Sequence, residues 1–247
     1  MKPNEATNFK PVKLPNPGTT PARCYSVVDI GTVPNIFKGK LNPEYPTTKK
    51  IFITFELPAF KAIFVEGRQA EPFVVSVEFT HVYSKDSNLT KFLQSWMNRA
   101  LTETERKTFD LGKKAIGKIA LVSFIQKRKK KFLSEQVSVV TNENTVLVLN
   151  GILQLPGGMI CPPQMNPTMV WDWSEVEASK TFDQEKFNKI PGFVRAKMIE
   201  SEEYKKFAPK DPANPITDPQ PEQPGQSNDF GSDNAPESSG LSESWGE

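Results

Sequence analysis

Few residues in this chain could carry out catalysis. The chain has one histidine, His81, at the end of a predicted strand, and two cysteines, Cys24 and Cys161. A Ser-His-Asp or Cys-His arrangement would have to be built around His81 alone, which is more typical of a half-exposed strand residue. Two thiols are too few for a disulfide framework or a zinc site, so both are expected to be small core residues in a reducing compartment. No Walker A loop, GxGxxG or HExxH motif occurs, so we predict a non-enzyme with no catalytic residues and no cofactor.

Three carboxylates, those of Glu66, Glu71 and Glu78, are the best candidates for a metal site. Together they could hold a divalent ion for a nuclease reaction. No known ligand spacing joins them, so solvated surface is the favoured interpretation and we predict no metal. A nuclease is the last of the functional hypotheses.

The basic run Lys127–Lys131 is the strongest local electrostatic feature, and Phe124 and Phe132 flank it. Taken alone, the run fits a solvated hairpin tip equally well. Lysine and arginine near aromatic rings favour single-strand binding, because cations neutralise phosphates while rings stack on bases for about 1–3 kcal/mol each. Phe52 lies on the polar face of its predicted strand, which makes it the better stacking candidate. The predicted DNA-binding residues are Lys49, Lys50, Phe52, Arg68, Lys118, Lys127, Arg128, Lys129, Lys130 and Lys131.

The charge of the chain is divided unevenly between its body and its C-terminal tail. The net charge is only +2, but eight acidic residues and no Lys or Arg lie from Asp211 onwards, so the preceding residues carry +10. The tail is rich in Pro, Ser, Asn, Gln and Gly, and this composition predicts disorder. An acidic strand ending in an aromatic residue can occupy the chain's own basic groove or a partner's pocket. The predicted tail contacts are Phe230, Asp233, Glu243, Trp245 and Glu247.

Five strands and one helix are predicted to position these residues. Apolar residues alternate with polar ones from Ile51 to Leu57, which is typical of a half-buried strand. From Leu89 to Ala100 the apolar residues recur at helical spacing, and Thr102 with Glu105 fits a capping box. The predicted strands are Ala22–Ile30, Lys49–Leu57, Phe73–His81, Ala115–Ile125 and Thr145–Leu149, with an extra short strand at Val137–Val140.

The order of these elements predicts a mainly β fold. Three strands, a helix and two strands match the five-stranded Greek-key barrel of the OB-fold, although a split barrel or an SH3-like sheet would look similar. We predict a flexible N-terminal arm at 1–20, a binding domain at 21–207 with a helical extension at 183–207, and a disordered acidic tail at 208–247. No signal peptide and no membrane-length apolar run is found, so a cytoplasmic location is expected.

Several segments resemble a family of single-stranded DNA-binding proteins of tailed phages and prophages. The resemblance is carried by Ala22–Gly31, Lys50–Pro58, Pro72–Thr80, Ser87–Trp96, Phe109–Lys113, Phe182–Phe187 and Ser201–Tyr204, and it covers most of residues 20–207. It implies an OB-fold core that coats single-stranded DNA in replication, recombination or repair without catalysis, in a bacterial host cytoplasm. The tail looks like those by which such proteins contact replication proteins. The sequence departs from the family in a longer segment from Glu135 to Leu155 and in the density of its lysine run.

The leading hypothesis is therefore a sequence-nonspecific single-stranded DNA-binding protein. The expected partners are single-stranded DNA and, through the tail, replication or recombination proteins, with no membrane and with homodimer formation left open. A strand-annealing or recombination-mediator protein would share the binding and add the pairing of complementary strands. A structural or interaction protein, in which the lysine run is only surface, is the third hypothesis.

Overall fold

The computed structural model describes residues 10–37, 39–133 and 139–209, which form eight strands and seven helices. The strands are β1 (Gly18–Pro34), β2 (Ile36–Phe37), β3 (Lys40–Leu41), β4 (Thr47–Ala62), β5 (Glu71–Thr80), β6 (Ile119–Arg128), β7 (Thr145–Leu153) and β8 (Met169–Trp171). The helices are α1 (Asn88–Met97), α2 (Glu103–Thr108), α3 (Leu111–Ala115), α4 (Trp173–Ser179), α5 (Gln184–Asn188), α6 (Gly192–Ile199) and α7 (Glu202–Phe207). The mainly β class predicted from the sequence is confirmed.

Strand β1 organises the main sheet, an open sheet with the order β5-β4-β1-β6-β7 and with β8 beside β1. Residues Gly18–Arg23 pair with β6, and from Arg23 onwards β1 pairs with β4. Beyond Arg23, where β6 no longer pairs with β1, residues Ser26–Val28 pair in parallel with β8 on that same edge. The other pairings in this sheet are antiparallel. One 17-residue strand therefore holds both halves of the sheet together.

A first hydrophobic core lies between the inner face of the sheet and helices α1 and α3. Phe55 from β4 packs edge-on against Trp96 of α1, with ring centroids 5.0 Å apart. The Trp96 indole N–H donates to the carbonyl of Ile119 at 2.9 Å, which joins α1 to the first residue of β6. Alternate residues of β6, among them Ala120, Val122 and Phe124, fill the same core. The period-2 pattern thus buries the face that the sequence predicts.

A second hydrophobic core covers the opposite face of the sheet, where the sequence analysis predicted polar surface. Phe52, Val28 and Ile30 point into it, and helices α4–α7 and the end of β8 close it from outside. Because both faces are covered, β4 is buried continuously from Ile51 to Pro58. The half-buried interpretation of β4 is wrong for this reason. The helices expected within 183–207 are present as α5, α6 and α7.

Side-chain caps define where all the helices except α6 begin. Ser87 accepts the N–H of Thr90 at the start of α1. Thr102 and Glu105 form the predicted capping box of α2. Arg99 donates to both carboxylate oxygens of Glu105, at 2.9 and 2.6 Å. These hydrogen bonds, with those from Thr102, lower the pKa of Glu105 to about 2, so the capping box keeps its charge well into the acidic range.

Two boundary predictions are corrected near the start and the middle of the chain. The N-terminal arm does not extend to residue 20, because β1 begins at Gly18 and Leu14 is only 2% exposed in the first core. The strand predicted at Val137–Val140 is not observed in its described half. Val139 and Val140 lie outside any strand, and the Val140 carbonyl accepts the N–H of Leu14 at 3.4 Å. Residues 137 and 138 lie outside the described residues.

A segment without helix or strand, residues 154–168, crosses the outer face of the sheet, and we call it the strap. The fully buried carboxylate of Glu56 accepts the backbone N–H groups of Met165, at 3.0 Å, and Asn166, at 2.9 Å. Arg23, directly opposite Glu56 on β1, donates to the carbonyl of Pro162 at 3.2 Å. Two oppositely charged side chains of neighbouring strands therefore fasten the strap at two points.

Removing the Glu56 carboxylate is expected to loosen the strap. Glu56→Ala leaves the Met165 and Asn166 N–H groups without their acceptor, which should lower the free energy of unfolding by about 1–3 kcal/mol. Cys161 lies on the strap and burial raises its pKa, so its thiol should react faster with a thiol reagent in the variant. Urea unfolding and labelling kinetics measure the two effects. The exposed Glu143→Ala serves as the control, and unchanged stability with unchanged Cys161 labelling would refute the fastening role.

Within the described ranges, no helix combines the length and the apolar character needed to cross a membrane.

Candidate nucleic-acid interface

Basic side chains gather at the end of the sheet where β1 begins. Because β6 runs antiparallel to β1, its last residues lie beside Gly18. The last residues of β4 reach the same end, where Phe60 packs against Phe124 with ring centroids 5.8 Å apart. We call this region the basic end, and its cations are Lys10, Lys13, Lys61, Arg68, Lys127, Arg128, Lys129, Lys130 and Lys131.

The N-terminal residues 10–15 join the two loops of the basic end. The N–H of Lys10 donates to the carbonyl of Phe64, at 3.0 Å, in the β4–β5 connection. Val12 exchanges two hydrogen bonds with Asn142 in the β6–β7 connection, at 2.8 and 3.1 Å. The backbone of Lys13 pairs with that of Thr141 as an isolated antiparallel β-bridge. A short piece of backbone thus holds loops that are distant in sequence side by side.

The electrostatic balance of the basic end is strongly positive. Three described carboxylates lie on or directly beside the segments that form the basic end, against nine cations: those of Glu66, of Glu71, which faces Ala62, and of Glu143. Glu66 pairs with Lys10 at 2.8 Å, and the hydrogen bond and charge of Lys10 lower the pKa of Glu66. Lys61, Arg68, Lys127, Lys130 and Lys131 are exposed. Such a cluster attracts a polyanion over distances of about 10 Å at 0.1 M salt.

The basic run itself is held by the end of the β6–β7 pairing. Arg128 lies opposite Thr145, and the N–H of Lys129 donates to the carbonyl of Asn144 at 2.9 Å. A single 3-10 turn then covers Lys130–Phe132. The half-buried Phe132 ring has the Lys131 ammonium 4.8 Å from its centroid. The sequence shows only that Phe132 flanks the run. The structure shows its partly exposed ring among the cations, where it could stack on a base.

Lys49 and Lys50 lie at the other end of the sheet. Lys50 faces Gly31 in the register of β1 and β4, whereas the basic run lies near Gly18, so about 40 Å of extended strand separates them. Lys49 pairs with Asp29 at 2.9 Å and Lys50 with Glu78 at 3.1 Å. These two lysines are therefore not part of the basic end, and their positive charges are compensated locally.

Two further predicted DNA contacts also lie away from the basic end. Phe52 is only 2% exposed and packs edge-on against Phe193 of α6, with ring centroids 5.4 Å apart. The stacking role predicted for it is wrong in this structure, because the ring is buried in the second core. Lys118 is exposed but precedes β6, about 30 Å of strand from the basic run.

The residues with catalytic potential each have their own surroundings. His81 Nδ1 lies 3.9 Å from Asp29, and its Nε2 lies 3.2 Å from the Tyr83 hydroxyl. Burial raises the pKa of both the Cys24 and the Cys161 thiols. Glu78 binds Lys50 and Lys197 rather than joining the other two glutamates. Across 10–37, 39–133 and 139–209, no three His, Cys, Asp or Glu side chains are grouped as metal ligands.

The predicted tail contacts Phe230, Asp233, Glu243, Trp245 and Glu247 lie outside the described residues. Comparisons of the chain with protein-family models, with curated proteins and with solved structures found no match.

Proposed function

We propose that this chain is a sequence-nonspecific single-stranded DNA-binding protein of the phage type, and that the basic end is its DNA contact. The observation that carries the proposal is the convergence of cations from three separate segments on one end of the sheet, with Phe132 among them. Cations spaced along a surface neutralise successive phosphates, and an aromatic ring between them stacks on a base of any identity. Neither contact requires a particular sequence.

The sheet order supports an OB-type barrel as the fold behind this function. Counting the long strands in chain order, the sheet reads third, second, first, fourth, fifth, and the third and fifth strands approach each other. Helices lie between the third and fourth long strands. An OB-fold is a partly open five-stranded Greek-key barrel that binds oligonucleotides on its second and third strands and with the loops that join its first to its second and its fourth to its fifth strand. In this proposal the β6–β7 connection is the second of those loops, and the β4–β5 connection, which residues 10–15 hold beside it, extends the interface.

A gel-shift titration of the full chain with labelled oligo-dT tests the function. We expect binding at low salt, with the logarithm of the association constant falling by about 0.7 per phosphate contact for each decade of salt. Other single-stranded sequences of equal length should bind with similar affinity. The absence of any shift at low salt would contradict the proposal.

Phe132 is expected to supply the stacking contact that was assigned to Phe52. Phe132→Ala removes a stacking surface worth about 1–3 kcal/mol, so the affinity for oligo-dT should fall roughly 5- to 150-fold. Phe207→Ala is the matched control, because the half-buried Phe207 also has a lysine ammonium beside its ring, that of Lys206 at 4.7 Å, and lies in α7, outside the basic end. Fluorescence anisotropy at fixed salt compares the two variants. Equal affinities for Phe132→Ala and the unaltered chain would remove Phe132 from the interface.

The proposal includes the acidic tail as a competitor for the basic end or as a contact for replication proteins. A tail with eight acidic residues and no basic ones should lower DNA affinity by occupying the same cations. A chain ending at Lys210 is therefore expected to bind oligo-dT more tightly than the full chain, with the difference shrinking as salt screens the charges. Equal affinities at low salt would exclude competition and leave only the partner contact.

A further inference from the structure

A cavity of about 250 Å³ lies at the far end of the sheet from the basic end. It is bounded by β1 and β4, by the residues that follow β5, by the α2–α3 connection, and by the junction of β8 with α4. Ligand pockets for drug-sized molecules usually measure about 300–1,000 Å³, so this cavity suits a ligand of one or two fused rings. No role in the proposed function uses it.

The walls of the cavity combine flat aromatic surfaces with carboxylates. The rings of Tyr83 and Phe109 lie side by side, with centroids 5.6 Å apart. Asp29 and Asp172 also line the cavity. Burial, together with the charges of Asp29, Asp110 and Asp172, raises the pKa of Tyr83. The phenol therefore keeps its proton at neutral pH.

One buried nitrogen atom of the cavity lining, His81 Nδ1, lacks a hydrogen-bond partner within the described residues. When the Tyr83 hydroxyl donates to His81 Nε2, the neutral imidazole carries its proton on Nδ1, which is then a donor. Buried polar atoms are almost always satisfied, so this donor calls for an acceptor from outside the chain.

The neighbouring carboxylates do not supply that acceptor, but one of them offers a site of its own. Asp29 already accepts the Gly31 N–H at 3.0 Å and binds Lys49. Asp172 caps α4 through Oδ1, which accepts the Ser174 N–H at 2.8 Å. Its Oδ2 makes no hydrogen bond among the described residues. The cavity thus presents an unpaired donor, an unpaired acceptor and aromatic walls.

We propose that this cavity binds a single nucleobase. A nucleobase is a planar ring that stacks on aromatic walls, carries carbonyl or ring-nitrogen acceptors for the unpaired donor, and in most cases carries an amino group for Asp172 Oδ2. Arg106 and Lys107 also line the cavity and can meet an attached phosphate. The base can come from a free nucleotide or from a nucleotide of the bound strand, and only the second source rests on the proposed function.

The test uses the full chain and the four deoxynucleoside 5′-monophosphates as probes, with inorganic phosphate and deoxyribose 5-phosphate as controls without a base. Saturation-transfer NMR should show transfer to the base protons, with dissociation constants of roughly 1 mM or tighter. The controls should show no saturable binding. The absence of saturable transfer to every nucleotide at several times that concentration would overturn the proposal.

Three variants locate the binding. Ser174→Trp places a large ring at the exposed mouth of the cavity and should weaken nucleotide binding at least tenfold. Ser179→Trp makes the same change at the exposed far end of α4, away from the cavity, and should leave binding unchanged. His81→Phe keeps an aromatic ring at the wall but removes the Nδ1 donor, and should weaken binding about fivefold. Undiminished binding in both Ser174→Trp and His81→Phe would overturn the assignment.

Saturating oligo-dT distinguishes the two sources of the base. A free nucleotide that still binds beside the oligonucleotide identifies the cavity as a mononucleotide site. Displacement of the nucleotide by the oligonucleotide identifies a base of the strand as the occupant, and Ser174→Trp should then weaken strand binding. Nucleotide binding without any gel shift would support the cavity site and refute the proposed function. A gel shift without nucleotide binding would support the proposed function and refute the cavity site.

Discussion

Replacing Lys127, Lys130 and Lys131 together by glutamine is expected to weaken oligo-dT binding roughly 100-fold at 0.1 M salt. Each phosphate contact to a single strand contributes about 0.7 to the slope of log affinity against log salt, which corresponds to about fivefold in affinity at 0.1 M. The three side chains are exposed, so their loss removes charge without opening a core. The salt slope should become shallower by about 2. Gel shifts or anisotropy at several salt concentrations measure both quantities.

The matched control removes three lysines from the C-terminal helices and the turn after α4. Lys180, Lys189 and Lys205 are exposed and lie outside the basic end, so their replacement changes the net charge equally. The control protein should keep nearly the full affinity and salt slope. If the two triple variants lost affinity equally, binding would depend on overall charge rather than on the basic end, and the proposed interface would be wrong.

Phe52→Ala is expected to lower the free energy of unfolding by about 3–5 kcal/mol, the range measured for emptying a buried phenylalanine site. The ring is almost fully buried and packs against Phe193. Its loss leaves a cavity between β4 and α6, which weakens the attachment of the C-terminal helices. Urea unfolding followed by tryptophan fluorescence measures the change, because Trp171 and Trp173 lie in the same core.

Comparing Phe52 with Phe132 separates a core residue from a stacking residue. Phe132→Ala should leave stability within about 0.5 kcal/mol, as most changes away from a core do, and should lower DNA affinity. Phe52→Ala should do the opposite under conditions in which the variant stays folded. A stable Phe52→Ala protein with weakened DNA binding would reinstate Phe52 as a DNA contact and contradict the burial described above.

The sequence predicted the inner face of the sheet better than the outer one. From Ile51 to Leu57 the apolar alternation is a local property, and it correctly marks the side chains of the first core. The outer residues Phe52, Thr54 and Glu56 carry no local sign that helices and a strap will cover them. Trp171 and Trp173, which anchor that cover, lie more than 100 residues away in the chain. Whether the outer face of β4 is buried therefore depends on non-local packing, which the period-2 pattern does not report.

The same distinction holds for the candidate interface. A run of five adjacent basic residues is visible in the sequence, which therefore predicts it as part of the binding site. Its association with Lys61 and Arg68 depends on hydrogen bonds made by residues 10–15, which the sequence predicts as part of a flexible arm. Lys49 and Lys50 appeared equivalent to the run because their partners, Asp29 and Glu78, lie on other strands. A run of adjacent charges can be found in the sequence, whereas the partners that compensate a charge can be far away in the sequence.

The double pairing of β1 has a consequence for the order in which the chain folds. Its second half pairs with β4, the next long strand in the chain, which begins at Thr47. Its first half pairs with β6, roughly 100 residues later, and so closes a longer loop at a higher entropic cost. A local β1–β4–β5 unit should therefore form early, and the basic end should form late. On the ribosome, Gly18–Arg23 would remain an unpaired strand edge until β6 has been synthesised.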